Sequence, residues 1–244
     1  SAHRGSCLSE GSRVVTSVAR RPHDGSANGG PGRRRGLGVH RLPTVAGVVV
    51  AGLAYDFFHY WWHRISHQWG PAWTVHVVHH QPTKMYWRLG VHQHVIEFLF
   101  DGVGAELIYR GLGLSRAQRS AVTVLRTTIG SAQHLNSDLD TSGWMDRVFS
   151  TNTSHRWHHS QDYREGDTNY SSFLAFWDHV FGTYFVPDRD FDSEIGVGRM
   201  PNFPTVVREL QMVPFRWAEV REANADTWYV DTDAPTEFHT PAAR

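Results

Sequence analysis

Residues 73–82 read WTVHVVHHQP and residues 153–162 read TSHRWHHSQD. Both contain His-x-x-His-His, at His76, His79 and His80 and again at His155, His158 and His159. On an α-helix, positions i, i+3 and i+4 fall within about 100° of arc and one turn, so each triplet sends three imidazoles into one space. A third cluster, HRISH, sets His63 and His67 at i, i+4, one above the other. The spacing predicts helices under all three clusters and, with the apolar stretches between them, an all-α fold.

Eight imidazoles on three helical faces call for metal. Imidazole suits Fe, Zn, Cu or Ni, and no single ion of these accepts eight such ligands, whereas two ions with about four apiece use them all. SAQHLN supplies His134 as a ninth candidate from a fourth helix, and His92 and His94 lie close by in sequence. His59 and His179 sit among aromatic neighbours and are expected to pack there. Two alternatives remain at this point, a zinc-dependent hydrolase and a non-catalytic metal-binding membrane protein. Zinc hydrolysis typically uses three protein ligands and a Glu base beside them, and no box carries a Glu between its histidines.

The bulk composition narrows the class. The 244 residues suffice for one domain with a real core. The 24 basic and 24 acidic side chains cancel, so no global field marks the chain for nucleic acid. A single cysteine, Cys7, excludes a disulfide framework, a cysteine zinc site and a thiolate-held iron–sulfur cluster. Nitrogen and oxygen must hold any metal.

Around the boxes, residues 1–41 are Gly-, Ser- and Arg-rich, without the apolar core of a signal peptide, and read as a disordered segment ending near Arg33, Arg34 and Arg35. Residues 42–62 are apolar for about one membrane-helix length, with an aromatic end from Phe57 to Trp62 like an interfacial belt. Residues 95–114 carry Glu97, Asp101, Glu106 and Arg110, too many charges for a clean lipid-facing span. With 115–133, which Ser115 is placed to cap, they are expected to form a helical hairpin. Residues 170–186 show apolar spacing that predicts another helix ending at Gly182, and 191–244 form a polar extension with a short packed piece.

DFFHYWWHRISH, HVVHH and HRWHHS, taken together, resemble the three histidine boxes of the fatty acid hydroxylase and sterol desaturase superfamily. Asp56, Tyr60 and Arg64 follow its first box, and SAQHLN its lone-histidine element. Asn169, Tyr170, Trp177, Asp178, Phe181, Gly182 and Thr183 follow its C-terminal signature. The similarity covers about 42–190, with 1–41 standing where the family carries further membrane helices.

It implies a membrane-bound oxidoreductase with a dimetal centre on the cytoplasmic side. Two ferrous ions, for which zinc can substitute in isolated protein, would be held by His63, His67, His76, His79, His80, His134, His155, His158 and His159. With O2 as co-substrate, such a centre hydroxylates or desaturates an unactivated C–H bond of a lipid such as a sterol or fatty acyl chain. No flavin, nicotinamide or haem motif is evident, so the electrons are expected from a separate reductase with a cytochrome b5 or ferredoxin-like carrier. Asp56, Asp138, Asp146, Asp162 and Asp178 are the carboxylates expected to orient the imidazoles. Tyr60, Trp61 and Trp62 are candidates for a lipid channel.

Overall fold

A computed structural model describes residues 36–137, 143–197 and 200–227. The chain divides into two units, Ser1–Arg33 and Arg34–Arg244, and all described residues lie in the second. The Gly/Arg-rich segment through residue 35, Asp138 and the residues beyond 227 therefore lie outside the described residues. Residues 37–41, read from sequence as part of the disordered segment, are held in place. Val39–Arg41 form a 3-10 turn, Leu37 N–H donates to Gly111 O, and the Gln118 amide donates to the carbonyls of Val39 and Leu42.

The secondary structure among the described residues is helical, with isolated bridges at Phe149–Leu174 and Ser160–Ile195 and no strand. Helix α1 (Thr44–Gln68) is followed after Trp69 by α2 (Gly70–His80), with Pro71 in the first turn where its missing N–H costs nothing. α3 (Val95–Leu112) and α4 (Arg116–Gln133) form the expected hairpin. The turn between them follows from local chemistry. Gly113 takes the left-handed conformation at φ 69°, and Ser115 and Gln118 close a reciprocal capping box at the start of α4.

Short helices follow: α5 (Gly143–Val148), α6 (Asn152–His158), α7 (Tyr163–Gly166), α8 (Phe176–Val180), α9 (Val207–Leu210) and α10 (Trp217–Ala223). The helix expected over 170–186 is confined to α8. Residues 170–174 are held instead as a loop whose backbone N–H groups are claimed by carboxylates, which removes the helical alternative.

Two apolar clusters fix the frame. Ala51 and Tyr55 of α1 pack with Ala105 and Tyr109 of α3 and Val122 of α4. Val77 and Val78, on the far side of α2 from its histidines, pack against Met200, Phe203, Leu210, Val213 and Val220. No helix among the described residues is long and apolar enough to cross a membrane. The apolar run 42–62 begins a helix whose second half turns polar through Asp56, His63, Arg64 and His67.

Candidate metal centre

The nine histidines come together in two groups. His63, His67, His76, His80 and His158 form one, and His79, His134, His155 and His159 the other, with each group's ligand atoms within 4.8 Å of one another. Each His-x-x-His-His box is divided between them in the same way. The i and i+4 rings, His76 with His80 and His155 with His159, join one group, and the i+3 ring joins the opposite one. Helix geometry explains the division. Relative to position i, position i+4 is turned by about +40° and i+3 by about −60°, so adjacent histidines diverge by about 100°. One copy on α2 and one on α6 then interleave as two half-sites.

The ring tautomers follow from what accepts from each Nδ1. The Nδ1–H of His63 donates to Tyr170 O at 2.9 Å, and that of His158 to Thr168 O at 2.8 Å. His79 donates to His92 O at 3.3 Å and His134 to Gly130 O at 2.6 Å. His67 reaches the Asp167 carboxylate at 3.0 Å, and His76 reaches Glu97 at 2.5 Å. A carbonyl oxygen can only accept, so the proton is on Nδ1 and the Nε2 lone pair is bare. Burial, with help from neighbouring imidazoles, pushes His63, His67, His79, His80, His155 and His159 well below the ordinary imidazole range. Burial also lowers His134 to about 4 and His158 to about 3. These rings are neutral at pH 7.

Neutral rings with this tautomer leave lone pairs facing each other. His134 Nε2 lies 3.2 Å from His79 Nε2 and 2.8 Å from His155 Nε2. His80 Nε2 lies 3.1 Å from both His76 Nε2 and His67 Nε2. His79 and His134 both commit their proton to a backbone carbonyl, so no N–H remains to bridge that pair. Two lone pairs at such a distance repel unless a cation lies between them. Nitrogens about 2.1 Å from one first-row ion and at right angles to each other are about 3.0 Å apart, which matches the observed spacing. His158 Nε2 is also buried without a partner among the described residues. The donor set fits two ions of the type that take imidazole.

Sequence reading missed the carboxylates that touch the rings, Glu97 and Asp167. Asp56 and Asp178 act one step further out, on the loop that carries the Tyr170 carbonyl. Asp56 accepts from the backbone N–H groups of Ser172, Phe173 and Leu174, and Asp178 from those of Tyr170 and Ser171 and from the Thr183 hydroxyl. Asp146 accepts from Thr151, the residue that caps α6, and Asp162 caps α7. Neither of these is recorded against an imidazole.

His94 caps α3 and donates to Gln211 O, while His92 serves through its carbonyl. His59 faces Asp101, and His179 stacks on Tyr184. Tyr60 is fully buried and bonded to Thr183, so it belongs to the core and not to a channel. Trp62 does line a cavity of about 130 Å³, together with Phe98, Val91 and the rings of His63, His76, His79, His134 and His155. That cavity opens onto both histidine groups.

The sequence model of the fatty acid hydroxylase family matches residues 48–183. The chain is 33% identical over 155 residues to an ornithine lipid hydroxylase of Rhizobium tropici, covering 63% of this chain and 45% of that protein. It is 28% identical over 141 residues to a sphingolipid C4-hydroxylase of Schizosaccharomyces pombe, covering 57% and 48%. It is 25% identical over 135 residues to a human alkylglycerol monooxygenase, covering 55% and 29%. The chain spans less than half the length of these relatives. No solved structure matches.

Proposed function

The chain belongs to the fatty acid hydroxylase family, and from that premise we propose that it is an O2-dependent di-iron oxidoreductase acting on a lipid C–H bond. The nine histidines are its metal ligands in this reading, five around one ion and four around the other. The observation that carries it is the pair His79 and His134, whose bare nitrogens face each other with both protons committed elsewhere. Hydroxylation is the primary outcome and desaturation the other, with a sterol or acyl chain as substrate. The lipid-hydroxylating relatives support the class of reaction.

Bound iron supplies the redox chemistry with O2 that an unactivated C–H bond demands and that no side chain here provides. The chain's own residues preorganise that centre. Glu97, Asp167 and four backbone carbonyls fix the rings before metal arrives, so little reorganisation accompanies binding. Glu97 also sets a carboxylate beside an otherwise neutral ligand shell. Trp62, stacked on Phe100 at 3.9 Å, walls the cavity with apolar surface that excludes water and accepts a hydrocarbon segment.

A membrane location agrees with the exposed apolar surface. Val45, Val49, Leu53 and Phe57 form an i, i+4 line along α1, and Phe98, Leu99, Val103 and Leu107 are exposed on α3. In this reading residues 42–190 are the catalytic unit facing the cytoplasm, residues 191–244 are an extension bracing α2, and electrons come from a separate reductase and its carrier. Lipid profiling of a host expressing the full-length gene tests the reading, with His158→Ala as control. A product heavier by one oxygen, or lighter by two hydrogens, should appear only with the intact centre; identical profiles would refute it.

A further inference from the structure

The cavity beside the histidine groups has a polar end formed by Tyr55, His59, Asp101 and Arg126 from α1, α3 and α4. The Tyr55 hydroxyl donates to Asp101 Oδ1 at 2.7 Å. Arg126 donates to Asp101 Oδ2 at 2.5 Å and to the Tyr55 hydroxyl at 2.8 Å. His59 Nδ1 lies 3.5 Å from Asp101 Oδ1, and the guanidinium rides over the Tyr55 ring at 4.8 Å. An ion pair that only tied α3 to α4 would satisfy its own donors. Here Arg126 Nε is buried without a hydrogen-bond partner among the described residues. A buried N–H is expensive unless something accepts from it.

Charge decides what can accept. Asp101 and Arg126 cancel, so a carboxylate or phosphate headgroup gains little net attraction there and still loses its hydration. An uncharged group with an acceptor oxygen and a donor hydrogen fits. Its oxygen accepts from Arg126 Nε–H, and its N–H or O–H donates to a spare lone pair of the Asp101 carboxylate. The position also carries information. The Tyr55 and His59 rings are 5.7 Å apart, and the His59 and His63 rings 5.4 Å, one helical step each toward the metal centre. A polar group seated at this end leaves only a short piece of chain to reach the histidines.

Resting on the function proposed above, we propose that Arg126, Asp101 and Tyr55 select lipids with an uncharged amide or hydroxyl headgroup, and direct oxidation to the first few carbons beside it. Arg126 is the specificity-determining residue. Its side chain touches the substrate and not the metal.

The test uses the full chain loaded with iron in detergent micelles and three probes of equal chain length, hexadecanamide, hexadecanoate and hexadecane. Calorimetry should show hexadecanamide binding about tenfold or more tighter than the other two, the worth of one hydrogen bond to a charged donor. Arg126→Lys keeps the charge opposite Asp101 but lacks the Nε donor and the planar fork, and should shrink that preference to below about threefold at unchanged iron content. If Arg126→Lys fails to fold, the pair Arg126→Met with Asp101→Leu removes both charges together, a replacement often tolerated in buried sites, and hexadecane should then bind at least as well as hexadecanamide. Fragment masses of oxidised hexadecanamide should place the new oxygen near the amide. Equal binding of all three probes, tighter hexadecanoate, a preference that survives in the variants, or oxygen at the far end of the chain would overturn the proposal. A clear amide preference without any oxidation would uphold the headgroup site and sink the oxygenase, and oxidation without preference would do the reverse.

Discussion

Glu97 offers the sharpest perturbation of the centre. Its carboxylate accepts the His76 proton at 2.5 Å, and the two side chains are only 5% and 4% exposed. Glu97→Gln keeps the shape and removes the charge. A hydrogen bond to a buried charged partner contributes about 1.5–3 kcal/mol, and loss of a carboxylate behind a metal-bound imidazole typically costs about 10–100-fold in metal affinity. The two ranges coincide, since about 1.4 kcal/mol is tenfold, so a loss of about 30-fold is expected. The effect should also be local. His76 belongs to the five-histidine group, while the Nδ1 protons of His79 and His134 rest on backbone carbonyls. Titration of the iron-loaded variant with a chelator should release one ion early and the second at the wild-type concentration. Unchanged affinity, or both ions leaving together, would refute the reasoning from hydrogen bond to ion.

Asp167→Asn should act on the same ion more weakly, within about tenfold in the same titration, because its side chain is 38% exposed and water can replace it. His79→Ala and His80→Ala, neighbours in sequence, should empty different halves of the centre, each leaving one ion per chain by elemental analysis. Asp56→Ala strips three backbone donors of their acceptor and should destabilise the chain by about 3 kcal/mol or more in urea unfolding, with the Tyr170 carbonyl displaced from His63. The metal-stripped chain should lose stability in acid. Its histidines have folded values below the unfolded value of about 6.5, so the unfolded state binds more protons in that window and stability rises with pH across it. His134 alone, lowered to about 4, accounts for about 3 kcal/mol between about pH 4 and pH 6.5. Urea midpoints that do not move over that range would contradict the burial of neutral rings.

The boxes were legible because their spacing is local: three and four residues on a helix fix which rings share a space before any tertiary contact is known. The same arithmetic explains why His79 and His80 part company. The partners of the rings were not legible. Glu97 reaches His76 across 21 residues and Asp167 reaches His67 across 100, and nothing in the sequence near either marks it. Asp56 and Asp178 looked suited to orienting imidazoles, and their requirement turned out to be backbone N–H groups. Residues 170–174 carried apolar spacing that mimicked a helix. That pattern serves aromatic packing, as where Tyr170 meets Tyr60 and His63, while the carboxylates take the backbone donors a helix would need.

Mössbauer spectroscopy with metal analysis on the full chain, loaded with iron-57, measures the arrangement of the nine rings most directly. Two high-spin ferrous ions per chain in nitrogen-rich sites are expected, one of them lost when His79 and His134 are both replaced by alanine. A single ion per chain, or two that persist without those rings, would contradict the division of the histidines into a five and a four.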